Sequence, residues 1–549
     1  MREWTAMRHR VDPRFAICRR ARLILTAAWA SAWAPGLTAW AAEEPSPPAE
    51  ASSGRHLDIA EFRVEGASRL STSDVETAVY PFLGPGRPLE DVERARVALE
   101  KAYTDRGFLA VNVAIPPQKV RDGIVDLKVT EGTITRLRVR GSRWFSLSEI
   151  REEAPSLAEG TVPNFNDITH DIVALNQIPD RRVTPALRAG SVPGTMDVDL
   201  NVQDSFPLHG ILEFNNRFSA NTTRTRLTGS LHYDNLWQLG HSLAFSFQIA
   251  PTRIDDAKVF SAAYTVRLPS APWLSFIVNG VSQDADVSTV GGITVAGRGW
   301  MAGARALFML PSTSQFFHTI STGFDFKRFV ETIAMSDTTM LTYWPVTAQY
   351  GATWMGEASQ TQVGATVTFN IRGLGATAEE FDAKRYKAQG NFIHFRLELS
   401  RSDRLPLGME LVARARGQYS NEPLVASEQF IGGGAESVRG YLEAQAAGDF
   451  GGLVSLELRS PSLGTWIDKN ERVLNEWRFH VFGEGGWMRL WEPLPETQSI
   501  YRLWSAGGGA TVKLIHHLNG SLDVAVPLWS EGATRRFAVR FLFRFWVEV

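Results

Sequence analysis

The chain has 549 residues, with 57 Lys plus Arg against 59 Asp plus Glu, 44% hydrophobic residues and a single cysteine. That length holds two to four domains of about 100 to 200 residues, or one large domain with attachments. The formal charge of -2 creates no positive field for phosphate, which excludes a polybasic nucleic-acid binder. A charged fraction of 21% argues against intrinsic disorder and against a bundle of membrane-spanning helices.

The first 42 residues differ in kind from the rest. Several arginines precede an uncharged run over residues 23–42, which ends in the small-x-small triplet Ala39-Trp40-Ala41. This pattern predicts a secretory signal peptide over residues 1–42. The alternative is an N-terminal membrane anchor, because the run is long enough to span a bilayer. Pro35 within the run, and the acidic, Pro-rich residues that follow, favour cleavage.

Residues 43–56 form a short linker rich in Glu, Pro, Ser and Ala. Two segments with the same order of elements follow it. In residues 57–131 we predict strands over 59–64, 110–115 and 124–129, and helices over 72–80 and 89–106. In residues 132–207 we predict strands over 134–140, 183–187 and 196–202, and helices over 147–152 and 167–177. The sequence therefore predicts two tandem α+β modules; the alternative is one irregular α+β domain.

From residue 208 to the C terminus, apolar and polar side chains alternate with period two between polar or Gly-rich turns. In the last stretch, 537–549, the odd positions are Phe or Val, and Arg540 and Arg544 lie on the other face. Such a stretch is longer than the roughly five or six residues of an ordinary strand. Since no long apolar run follows Ala42, a closed antiparallel β-barrel is the membrane-spanning structure that remains.

No enzyme motif accompanies this pattern. The sequence has no G-x-S-x-G, H-E-x-x-H or Walker motif. His516 and His517 would point to opposite faces of a strand, which disfavours joint metal ligation. We therefore expect neither catalysis nor a cofactor nor a metal site.

Two motifs connect the chain to a known family. Val438-Arg439-Gly440-Tyr441 lies about 110 residues before the C terminus, and Phe482-Gly483-Glu484-Gly485-Gly486 follows it. Here the chain resembles the two-partner secretion transporters, the haemolysin secretion and activation family of the superfamily that joins POTRA modules to a barrel. The first motif matches the tip of the sixth extracellular loop in that superfamily. The second resembles the F-x-D-x-G strand motif with Glu in place of Asp.

Period-two spacing places Phe482, Glu484 and Gly486 on one face of a strand. If the other face meets lipid, Glu484 points into the lumen. In the family the loop folds back into the barrel, so the resemblance implies a contact between Arg439 and Glu484 that fixes the loop. The alternative is a solvated loop arginine and an unrelated glutamate in the lumen.

The resemblance implies a 16-stranded antiparallel barrel over residues 208–549, preceded by two periplasmic POTRA domains at 57–131 and 132–207. It also implies an outer-membrane transporter in a Gram-negative bacterium, which secretes a large haemolysin- or adhesin-like exoprotein from periplasm to cell surface without ATP. The expected partners are the unfolded periplasmic substrate, outer-membrane lipid and, during biogenesis, the barrel assembly machinery, with the transporter itself a monomer. The alternatives are a factor that inserts other barrels, a passive porin and an outer-membrane enzyme.

Overall fold

A computed structural model describes residues 56–290, 293–330, 340–467 and 473–549. The predicted signal peptide and residues 43–55 of the predicted linker lie outside this part. The described residues form two compact units, one of residues 56–137, 156–169 and 187–198 and the other of residues 138–155, 170–186 and 199–549. Among the helices of the described ranges, none has the length and apolar character needed to cross a membrane.

The first module contains every element that periodicity predicts. Its elements are β1 His56–Ile59, β2 Glu61–Glu65, α1 Thr72–Val79, β3 Gly84–Pro88, α2 Glu90–Asp105, β4 Val111–Ala114 and β5 Ile124–Glu131. Strand β5 pairs in parallel with β2 and antiparallel with β4. Leu99 and Tyr103 of α2 are fully buried against this sheet's apolar face. The antiparallel pair β1–β3 is an addition that the sequence pattern did not predict.

The second module repeats the order of elements. They are β6 Thr133–Arg140, α3 Leu147–Glu152, α4 Phe165–Leu175, β7 Arg181–Ala189 and β8 Thr195–Asp204. The three strands form a sheet in the order β6-β8-β7. Helix α3 begins after Ser146, whose hydroxyl accepts the N–H of Glu149, the side-chain cap that polar residues provide at helix starts.

The remaining strands build the barrel. In chain order they are β9 Leu208–Asn215, β10 Arg226–Leu236, β11 His241–Ile249, β12 Ala257–Arg267, β13 Leu274–Val290, β14 Ile293–Met309, β15 Phe316–Val330, β16 Met340–Met355, β17 Ser359–Gly375, β18 Ile393–Arg404, β19 Glu410–Ser420, β20 Phe430–Gly432, β21 Ala446–Gly448, β22 Phe450–Arg459, β23 Leu474–Arg489, β24 Ile500–Leu514, β25 Leu518–Pro527 and β26 Arg540–Glu548. Helices α5 Ala378–Lys384 and α6 Gly464–Ile467 lie in connections.

The barrel is closed. All of these strands except β20 and β21 join one antiparallel sheet of 16 strands, in which β26 pairs with β9. Closure leaves the sheet without a free edge, so each strand has a hydrogen-bonded neighbour on both sides, as a lipid environment requires. The predicted 16-stranded antiparallel barrel behind N-terminal α+β modules is confirmed.

The two faces of the barrel wall follow the predicted alternation. In β22, Val454 and Leu456 are both 53% exposed on the outside, whereas Glu457 is 7% exposed. The apolar outer face is what contact with lipid requires, and polar side chains turn inward.

The last strand is shorter than the alternating stretch. β26 begins at Arg540 and has nine residues. Phe537 precedes it with a φ of 65°, a left-handed backbone that a strand does not tolerate. The alternation of apolar and polar residues therefore begins before the strand does. Nine residues still suffice, because a tilted strand needs about 9 to 11 to span a bilayer.

Candidate functional site

The connection between β19 and β22, residues 421–449, lies inside the barrel; we call it the inner loop. It starts with a turn of 3-10 helix, Ala426–Glu428. Strands β20 and β21 then form a short antiparallel hairpin, in which Phe430 is paired with Gly448. The inner loop follows the eleventh barrel strand and is thus the sixth connection on its side of the barrel.

Apolar packing seats the inner loop against the barrel wall. Val438 and Tyr441 at its tip are completely buried. They belong to a cluster formed by loop and wall residues: Phe430, Val438, Tyr441, Ala446, Leu453, Met488 and Leu503. Burying large side chains contributes roughly 1.5 to 3 kcal/mol each. This packing positions the arginine between Val438 and Gly440.

Tyr441 and Gly440 fix the direction of the chain at the tip. The Tyr441 hydroxyl donates to the carbonyl oxygen of Trp529 at 2.7 Å and accepts the N–H of Trp504 at 3.2 Å. Gly440 has a φ of +103°, and a Cβ on it would lie 3.2 Å from the backbone nitrogen of Pro527. Glycine suits this position because other residues rarely adopt such a conformation and the wall leaves little space.

Arg439 uses its backbone and its side chain to bind one carboxylate. Its N–H donates to Glu484 Oε2 at 2.5 Å, and its Nε donates to Glu484 Oε1 at 2.8 Å. Nη2 lies 2.6 Å from the same Oε1. Arg439 is 8% exposed and Glu484 6% exposed. Charge-assisted bonds of this kind are among the strongest in proteins, provided that both partners are present.

Two further carboxylates and an aromatic ring surround the same guanidinium. Nη2 of Arg439 donates to Glu457 Oε2 at 2.8 Å, and Nη1 lies 3.7 Å from Asp523 Oδ1. The guanidinium carbon lies 3.4 Å from the centroid of the Phe482 ring, a cation-π contact. Arg439 is therefore held by acids from three strands, β22, β23 and β25.

The structure places all seven predicted site residues at this centre. The tip motif comprises Val438, Arg439, Gly440 and Tyr441, and the wall motif comprises Phe482, Glu484 and Gly486. Arg439 contacts both Phe482 and Glu484. Gly486 makes room for Leu453, since a Cβ on it would lie 2.3 Å from Leu453 Cδ2.

Glu457 and Asp523 were not predicted as site residues. Each is an acid on the inward face of a strand whose neighbours point outward: Leu456 is 53% and Leu522 54% exposed. Period two thus indicates that both acids face the lumen. It does not indicate which cation they meet, because that depends on how far the inner loop reaches.

A second cluster of charges holds the stem of the inner loop. Glu428 is 2% exposed. Its Oε1 accepts Lys327 Nζ and the Tyr343 hydroxyl, each at 2.6 Å, and its Oε2 lies 3.2 Å from His394 Nε2. Arg396 donates to the Glu428 carbonyl oxygen at 3.0 Å. Glu428 thus ties the stem to β15, β16 and β18.

Asp449 closes the loop at its other end. Its side chain is fully buried. Its carboxylate accepts the N–H of Leu424 at 2.8 Å and the N–H of Trp491 at 2.7 Å. Arg385 Nη2 lies 3.5 Å from the same carboxylate. The two ends of the inner loop are therefore joined to each other as well as to the wall.

Family models match both parts of the chain. One described as haemolysin secretion/activation protein ShlB/FhaC/HecB matches residues 194–512, and a POTRA domain of ShlB type matches residues 57–132. The chain belongs to the haemolysin secretion/activation family. The outer membrane transporter CdiB of Dickeya dadantii (strain 3937) is 22% identical over 526 residues, which cover 88% of this chain and 85% of that protein. The heme/hemopexin transporter protein HuxB of Haemophilus influenzae (strain 86-028NP) is 20% identical over 472 residues, or 83% and 81% of the two chains.

A solved structure shows the same fold. CdiB from Escherichia coli matches with a TM-score of 0.63 at 19% identity, covering 92% of this chain and 93% of that chain. The predicted family, fold, outer-membrane location and transport function are confirmed. The protein is a two-partner secretion transporter of the outer membrane, with POTRA domains in the periplasm. Members of the family are transporters rather than enzymes.

Proposed function

We propose that the inner loop is the movable obstruction of this secretion pore and that the Arg439 cluster holds it closed. The observation that supports this is the contact of one loop arginine with carboxylates from three strands. Val438, Gly440 and Tyr441 position that arginine, and Phe482, Glu484 and Gly486 shape its receptor. In this proposal the described residues of the site hold the loop by non-covalent contacts, and the protein acts as a transporter and not as an enzyme.

We also propose the division of the chain. Residues 1–42 are the signal peptide, 43–56 the linker, 57–131 and 132–207 the two POTRA domains, and 208–549 the barrel. The two modules differ little in length, which supports a tandem repeat.

The partner exoprotein reaches the modules unfolded in the periplasm, where an extended segment of it joins a sheet edge or lies in an apolar groove. It then passes through the lumen and folds outside. In the first module β2 and β4 are the outer strands of the three-stranded sheet, and such edges accept an added strand. Folding outside supplies direction without ATP. The transporter acts as a monomer and is itself inserted by the barrel assembly machinery.

A secretion assay tests the proposal. The reading frames beside the transporter's gene are searched for a long secreted β-helical protein, which is co-expressed with the transporter in a Gram-negative host. The amounts of this exoprotein at the surface and in the periplasm are measured. Wild-type transporter should move the exoprotein outside. Arg439→Ala should leave it in the periplasm although the barrel is inserted, because the detached tip stays in the lumen without a fixed position, where it lets ions pass but obstructs the exoprotein. The matched control is Arg536→Ala, since Arg536 is exposed in the β25–β26 connection. Unchanged secretion by Arg439→Ala refutes the proposed role. Loss of other barrels with normal secretion would indicate an assembly factor instead.

A further inference from the structure

Two histidines and an aspartate meet where the first two barrel strands begin and end. His209 of β9 and His232 of β10 are register partners. Their rings are stacked with centroids 4.9 Å apart. Asp234 lies two residues beyond His232 and hence on the same face of the strand. One ligand atom from each of the three residues lies within 4.8 Å of the others.

The distance between His232 and Asp234 suits a tetrahedral metal ion. His232 Nε2 lies 3.3 Å from Asp234 Oδ2. Metal–ligand bonds of about 2.0 to 2.1 Å at tetrahedral angles place two ligand atoms about 3.3 Å apart. Imidazole and carboxylate together are ligands of Zn²⁺ and similar transition metals, whereas Ca²⁺ and Mg²⁺ prefer oxygen alone.

A buried carboxylate orients one of the histidines. Both oxygens of Asp180 lie 2.9 Å from His209 Nε2, and the Asp180 side chain is 5% exposed. Ser205 also donates to Asp180 Oδ1 at 3.0 Å. A carboxylate bound to an imidazole fixes the ring and strengthens it as a metal ligand.

Access and charge also favour a cation. The side chains of His209 and His232 are each 34% exposed, so an ion can reach them. With neutral imidazoles, Asp180 and Asp234 carry two negative charges, which the single positive charge of Arg267 offsets only in part. Arg267 acts electrostatically on Asp234. Its Nη1 donates hydrogen bonds to the Gly240 carbonyl and to Ser242 Oγ.

We propose that His209, His232 and Asp234 bind one divalent transition-metal ion of the Zn²⁺ class, with Asp180 as the positioning residue for His209. The bound ion would link strands β9 and β10, and the hydrogen bond from His209 to Asp180 would connect this site to the segment between α4 and β7, all within the second compact unit. From the sequence we expected no metal site. The sequence pattern does not indicate this one, because His209 and His232 come together only through the pairing of β9 with β10.

Metal titration of the full transporter tests this proposal. Chelator-treated protein without a polyhistidine tag, in detergent, is titrated with Zn²⁺ by calorimetry and with Co²⁺ by absorption spectroscopy. Wild type should bind one ion per chain, with the visible absorption of tetrahedral Co²⁺. His232→Ala and Asp234→Asn should abolish that absorption, and Asp180→Asn should weaken binding about 10- to 100-fold.

The matched control is His318→Ala, which removes a histidine of β15 that lies near Tyr350 instead. This control should bind as the wild type does. Heat-dependent mobility on gels verifies that each variant barrel is folded. Equal Zn²⁺ affinity in wild type, His232→Ala and Asp234→Asn, or no Zn²⁺ binding by wild type, overturns the proposal.

Discussion

Buried charged side chains fix both the tip and the stem of the inner loop, but the sign of the charge that the loop supplies differs between the two places. At the tip the loop supplies the cation, Arg439, and the wall supplies acids such as Glu484. At the stem the loop supplies the acid, Glu428, and the wall supplies Lys327 and His394. The same loop is thus held by two clusters: in one the loop is positive and the wall negative, and in the other the loop is negative and the wall positive.

The difference matters because the groups differ in whether they can lose their charge. A guanidinium stays ionised in proteins, so Arg439 must be bound by acids wherever the loop rests. At the stem the imidazole of His394 can be neutral, and Tyr343 contributes a neutral hydrogen bond. We therefore expect the tip to tolerate substitution less well than the stem.

The largest effect is expected from Arg439→Ala. It leaves Glu484 buried without its cation, whereas Glu457 keeps its contact with Arg459. Breaking a buried pair costs roughly 3 to 5 kcal/mol. The tip should detach, so single-channel conductance in planar bilayers should rise and open events should become longer. Arg536→Ala serves as the control and should conduct like wild type. A closed, wild-type-like trace from Arg439→Ala would contradict the proposed clamp.

The next prediction concerns the double variant of Arg439 and Glu484, which tests whether these two residues act as one unit. Residues in direct contact show coupling of about 0.5 to 3 kcal/mol. The double variant Arg439→Ala/Glu484→Ala should therefore be little worse than Arg439→Ala alone, both in secretion and in thermal stability. If the two losses simply add, Arg439 and Glu484 act independently.

A smaller effect is expected at the stem. Glu428→Gln keeps the shape and the hydrogen-bond acceptor but removes the charge that Lys327 and His394 face. Conductance should rise less than in Arg439→Ala, because the tip remains attached. Glu357→Gln, in the exposed turn between β16 and β17, is the matched control. A larger increase from Glu428→Gln than from Arg439→Ala would reverse our ranking of tip and stem.

The smallest effect is expected outside the membrane, at a carboxylate that binds neutral donors. Burial opposes ionisation of Glu131, but hydrogen bonds from Ser68, Arg69 and Tyr103 outweigh it and lower the pKa of Glu131. A lowered pKa adds stability above the unfolded-state value, and that contribution is lost as the pH falls through the folded-state value.

Glu131→Gln should therefore destabilise the first module slightly near neutral pH, and its difference from wild type should shrink in acid, below about pH 4. Protease resistance of the module, measured across pH in the full chain, checks this. Conductance should not change. A difference that grows as the pH falls would show that folding raises the pKa of Glu131 instead of lowering it.

Local pattern sufficed for many of these features. The period-two alternation predicted that Leu456 and Glu457 face opposite sides of the wall and that Glu484 faces inward. The helical spacing of apolar residues predicted α2 within a residue or so at each end. The motif around Arg439 indicated its partner only through the resemblance to a family.

For the elements that periodicity predicts, sequence by itself determined the type and the apolar face, because both depend on residues a few positions apart along the chain. Tertiary structure decided which groups meet: Asp523 near Arg439, Glu428 near Lys327, and His209 beside His232. It also decided that β26 begins only at Arg540. Closing the sheet sets strand register and the depth of the inner loop, and these depend on the whole ring of strands rather than on any one segment.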